Sequence, residues 1–70
     1  MYGETMTRLS EWTSKYGALM TTSQLASEVY MHPRHVRNLC KEGKLPAVKI
    51  GDRWRIDTEA MVAWIRSRRW

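Results

Sequence analysis

The chain is poor in several things at once. It has one cysteine, Cys40, which excludes an intramolecular disulfide, so the fold needs no oxidising compartment and a reducing cytoplasm suits it. It has no phenylalanine, so four Trp, five Met and three Tyr must do much of the core filling. No apolar run approaches the ~20 residues that span a bilayer, and the N-terminus lacks the basic-then-apolar order of a signal peptide, so no membrane partner is expected. Low-complexity tracts and internal repeats are missing. So is any phosphate-cradling glycine loop, and a chain of 70 residues leaves little room for a cleft pairing a nucleophile or acid with a base. No enzyme activity and no cofactor are expected. His32, His35 and Cys40 fall short of the four ligands of a structural zinc site, so no metal is expected either.

Acidic residues are scarce in one place only. Glu4, Arg8, Glu11 and Lys15 cancel within residues 1–20. From His32 to Ile56, "HPRHVRNLCKEGKLPAVKIGDRWRI" holds seven Lys or Arg against Glu42 and Asp52, which accounts for the whole formal +5. A localised basic surface attracts polyanions, nucleic acid above all. The plain alternative is a basic surface that serves only solubility.

Seventy residues make one domain, and a chain of this size buries only roughly 60% of its unfolded surface. Met6, Leu9, Trp12 and Tyr16 recur at spacings of three and four, which predicts a helix over 5–16 stopped by Gly17. That helix can pack on the core, self-associate or fray. Thr21-Thr22-Ser23-Gln24 fits a capping box opening a helix with Leu25, Ala26 and Val29 inward. A linking turn of about four residues leads to Pro33, which suits the first turn of a new helix. Two short helices joined so tightly must cross steeply, a helix-turn-helix arrangement.

In the helix from Pro33, the 100° step places Val36, Leu39 and Cys40 on one side. Arg34, Asn38 and Lys41 centre on the other, with Arg37 and His35 on its flanks. Gly43 ends it and Pro46 forbids a restart. "AVKIGDRWRI" alternates around a Gly-Asp turn, so it reads as a hairpin. A three-residue loop over 51–53 would pair Ile50 with Trp54, Val48 with Ile56 and Lys49 with Arg55. That separates an apolar face from a basic one, whereas a two-residue loop mixes them; the three-residue register is therefore expected. Asp57 or Thr58 can cap a last helix with Met61, Trp64 and Ile65 inward, and Arg66, Arg68 and Arg69 in its final turns.

A helix fits the major groove, where Arg34 and Arg37 can each grip a guanine bidentately and Asn38 can pair with adenine. Lys41, Lys44, Lys49 and Arg55 suit phosphate, which needs charge rather than fixed geometry. Thr22 and Ser23 join Lys44 as expected phosphate contacts, and Arg53 lies at or beside the hairpin tip in either register. A merely solvated helix face predicts mixed charge, but this face keeps a single sign until Glu42.

The stretch "LMTTSQLASEVYMHPRHVRNLCKEGKLPAVKIGDRWRIDTEAMVAWI", residues 19–65, resembles the excisionase-type winged helix-turn-helix family, related to the MerR DNA-binding domain. The resemblance is carried by a Thr-capped helix with a central Ala, by "PRHV" followed by "GKLPA", by "IGDRWRI", and by a terminal helix with Trp. It implies a mainly α fold with a small β-hairpin, in which residues 1–18 form an N-terminal helical extension and 19–70 the DNA-binding domain. The helix after the tight turn would enter the major groove, with Arg34, His35, Arg37, Asn38 and Lys41 as its reading face. The hairpin would be the wing, carrying Lys49, Arg53 and Arg55. The function implied is that of a recombination directionality factor of a phage or mobile element. Such a factor binds double-stranded DNA in a bacterial cytoplasm, bends it, associates cooperatively on it and helps a tyrosine or serine integrase excise. A small transcriptional repressor would use the same surface. A protein-interaction module docking through residues 5–16 is the alternative from outside DNA binding.

Two residues depart from the family pattern. Tyr30 stands where the turn usually has Gly, at a cost of roughly 1 kcal/mol if the left-handed conformation is kept. His32 stands where Ser or Thr usually caps the recognition helix, which predicts a weaker cap.

Overall fold

The Thr21–Gln24 capping box forms as expected: Gln24 N–H donates to Thr21 Oγ1 at 3.0 Å, and Thr21 N–H donates to Gln24 Oε1 at 2.9 Å. Around it the computed structural model describes residues 2–68, with side chains from Leu9 onward. The order is α1 (Tyr2–Tyr16), β1 (Leu19–Thr21), α2 (Thr22–Val29), α3 (Pro33–Lys41), β2 (Ala47–Ile50), β3 (Arg53–Asp57) and α4 (Thr58–Ser67). These four helices and a small three-stranded antiparallel sheet make a winged helix-turn-helix fold. Met6, expected on the apolar face of α1, and Arg69, expected in the final turns of the last helix, lie outside the described side chains.

The core gathers one residue set from every helix and the sheet. Leu9 and Trp12 of α1, Met20 of β1, Leu25 and Ala26 of α2, Val36 and Cys40 of α3, Ile56 of β3, and Met61, Val62 and Ile65 of α4 form one buried cluster. Trp54 and Trp64 pack against its edge. Leu9 and Trp12 of the α1 stripe are therefore buried within the molecule, and Tyr16 is partly buried against the cluster. Two polar ties reinforce α1. Arg66 Nη2 donates to Ser10 Oγ at 2.8 Å. Glu28 on α2, its side chain only 8% exposed, accepts from the Tyr16 hydroxyl and pairs with Lys15 Nζ at 3.1 Å. Each residue's own hydrogen bond to Glu28 raises its pKa, for Tyr16 and for Lys15 alike.

Two features differ from expectation. The first is β1, which the sequence analysis does not identify. It completes the sheet in the order β1-β3-β2, with Met20 opposite Ile56 and both fully buried. The second is the hairpin register. Ala47 pairs with Ile56, Val48 with Arg55, Lys49 with Trp54 and Ile50 with Arg53, around a two-residue loop. The three-residue register is incorrect. Gly51 takes φ +65° and Asp52 does not have a positive φ, the pattern of a type II′ turn with Gly at its first central position. Turn geometry outweighs polarity here, and Val48 and Ile50 are left 50% and 55% exposed.

The α2–α3 turn keeps its tight form despite Tyr30. That residue adopts φ 59°, ψ 45°, and its N–H and that of Met31 both converge on the Ala26 carbonyl. A side chain in this left-handed well costs about 1–2 kcal/mol. Tyr30→Gly relieves the strain, partly offset by the greater freedom of glycine in the unfolded chain. Its expected net effect is a stabilisation of about 0.5–1 kcal/mol, read as a rise of several degrees in the midpoint of thermal unfolding.

Candidate nucleic-acid interface

The interface begins with how α3 is held at its ends. His32 is its N-cap: Nδ1 accepts from the Arg34 N–H at 3.1 Å, so this imidazole nitrogen does the work of the usual hydroxyl. Pro33 follows at the first helical position, where its missing N–H leaves no bond unmade. At the far end Lys44 N–H donates to the Leu39 carbonyl and Gly43 N–H to the Cys40 carbonyl, each at 3.0 Å, with Gly43 at φ +73°. This is a Schellman motif, which explains why the helix stops there.

Between those ends the faces separate as expected. Val36 and Cys40 are buried and Leu39 is half-buried, while Arg34, His35, Arg37, Asn38 and Lys41 are all exposed. Burial pushes the Cys40 thiol up, as suits a small core residue rather than a nucleophile. Among the described residues no three His, Cys, Asp or Glu side chains gather as a metal site.

The wing adds a second wall. A shallow cleft runs between the start of α2, the middle of α3 and the hairpin, lined by Thr21, Thr22, Ser23, Arg37, Asp52, Arg53, Trp54 and Arg55. Three arginines, Arg37 of α3 with Arg53 and Arg55 of β3, thus share one concavity with the N-terminus of α2, where backbone N–H groups favour an anion. Only Asp52 opposes them. Of the expected contacts, the cleft brings together Thr22, Ser23, Arg37, Arg53 and Arg55, while Arg34, His35, Asn38 and Lys41 continue along the exposed face of α3.

The remaining candidates sit differently. Thr22 lines the cleft but is only 9% exposed, so little of it is open to a ligand. Arg55 is half-buried and donates Nη1 to the Trp54 carbonyl at 3.1 Å. Lys49 shares a sheet face with Trp54, its Nζ 6.0 Å from the ring centroid, rather than with Arg55. Lys44 pairs with Glu42 at 3.3 Å on the surface, a pairing of little energetic consequence at such exposure. Sequence reasoning missed Asp52 and Trp54 as members of the cleft, because their placement depends on the hairpin register.

The capped α2, the tight turn, the exposed basic α3 and the adjoining hairpin together define a helix-turn-helix protein with a wing. A family model described as a helix-turn-helix domain matches residues 19–69, and the chain belongs to that family. No curated protein and no solved structure matches it. Membership implies sequence-specific DNA binding. Among the described residues no helix is long and apolar enough to cross a membrane.

Proposed function

We propose that this protein is an architectural DNA-binding protein that acts as an excisionase, setting the direction of integrase-mediated recombination in a phage or mobile element. The observation that supports this most is the meeting of Arg37, Arg53 and Arg55 with the α2 N-terminus in one cleft beside the single-sign face of α3. A helix in the major groove and a wing on the neighbouring backbone grip DNA at two points, and two-point contact is what bending requires. Specificity then comes from base edges and from the deformability of the site. The resemblance of the GKLPA and IGDRWRI segments to excisionases supplies the recombination role. On this reading Arg34 and Asn38 read bases, and Arg37, Lys41, Lys44, Lys49, Arg53 and Arg55 meet phosphate. Further copies of the chain and an integrase join on the same DNA.

If roughly six cations meet phosphates, log affinity falls against log salt with a slope of about −5. Fluorescence anisotropy on a labelled duplex at several salt concentrations reads it. A slope near zero sinks the electrostatic reading. Footprinting on the DNA flanking its own gene, followed by an excision assay with any integrase encoded beside it, tests the finer role. A protein that protects this DNA but leaves excision unchanged is a repressor instead.

A further inference from the structure

Tyr30 is the most exposed large apolar side chain among the described residues, at 84%, and it is the one non-glycine residue there with a positive φ. These two facts together need a reason. The side chain buries little and the backbone is strained, so nothing in the fold rewards tyrosine at this position. Glycine would hold the same turn with less strain. Strain kept without a packing return points to a role outside the fold.

The position suggests what that role is. Tyr30 lies two residues before His32, the cap of α3, and four before Arg34, the first exposed cation of the reading face. In a helix-turn-helix protein the N-terminal residues of the second helix meet base edges. The turn leading into them therefore lies beside the groove wall, where the sugar–phosphate backbone runs. A tyrosine hydroxyl is a regular donor to phosphate oxygens.

We infer that Tyr30 is a DNA-backbone contact, its hydroxyl donating to a phosphate beside the groove that receives the N-terminal end of α3. This rests on the DNA-binding reading above. It adds a neutral anchor at the turn between α2 and α3, outside the cationic set.

The contact is independent of sequence, so a random-sequence duplex serves as the probe. Binding of the full-length chain, Tyr30→Phe and Tyr30→Gly is measured beside thermal unfolding of each. Tyr30→Phe keeps the ring and the strain but loses the donor; about a tenfold loss of affinity is expected with unfolding unchanged. Tyr30→Gly is expected to melt higher and to bind at least tenfold more weakly, so stability and affinity move in opposite directions. Because the hydroxyl carries no charge, the salt slope should be the same in all three. Wild-type affinity in either variant overturns the inference while the DNA reading stands. A full-length chain with no salt-dependent binding overturns both.

Discussion

Trp12→Ala removes about 3–5 kcal/mol of stability, the usual cost of truncating a buried tryptophan. Trp12 is 4% exposed and sits in the same buried cluster as Met61, Val62 and Ile65 of α4, against which α1 lies. A domain of 70 residues has roughly 3.5–10 kcal/mol in total. The variant is therefore expected to be partly or wholly unfolded at 37 °C, although Trp12 lies outside residues 19–69 of the family match. Urea unfolding followed by circular dichroism measures the loss. Its slope against urea distinguishes two ways of failing. If α1 and the rest unfold together, the slope stays near that of the parent chain, because the same surface is exposed in one step. If α1 merely detaches, helical signal is lost early and the remaining transition keeps its midpoint. An unchanged midpoint with full helicity would make residues 1–18 a dispensable extension.

That α1 belongs to the core was only half legible in the sequence. The spacing of Leu9, Trp12 and Tyr16 shows a stripe, but a stripe does not name what covers it, and the cover is α4, more than forty residues away. Local features were easier to read. The Thr21–Gln24 box, Pro33 and Gly43 set the ends of α2 and α3 through bonds within a few residues, and all three appear where expected. β1 was missed because three residues carry no period, and they become a strand only by pairing with β3. The hairpin register failed for a different reason. Sorting polar from apolar side chains is only weakly enforced on a small exposed wing, and Gly51 fixes the turn instead. The exposed residues of α3 were identified individually, but the cleft they share with the wing depends on that register.

Arg37→Glu is expected to cost DNA affinity most, by at least about 100-fold, because a like charge facing phosphate adds repulsion to the lost contact. Arg37 occupies the one point where α3, the α2 N-terminus and the wing converge, and the nearest acid in the cleft is Asp52. The reversal changes the charge there by two, so the salt slope should become shallower by about two. The fold should be unaffected, since Arg37 is exposed on the flank of α3 and is not part of the buried Val36 and Cys40 face. Circular dichroism and the melting midpoint check this. Arg37→Lys then separates the two roles available to the side chain. A phosphate anchor needs charge alone, so lysine should restore nearly all affinity on random DNA and on the natural site alike. A guanine reader needs the planar fork, and lysine binds with different geometry. It would then lose roughly 1–3 kcal/mol on the natural site and nothing on random DNA. The cleft, which sets Arg53 and Arg55 of β3 beside Arg37, favours the anchor, and Arg34 at the N-terminal end of α3 is left as the principal reader. Full restoration by lysine on both DNAs is the expected result; a loss confined to the natural site would return Arg37 to base recognition.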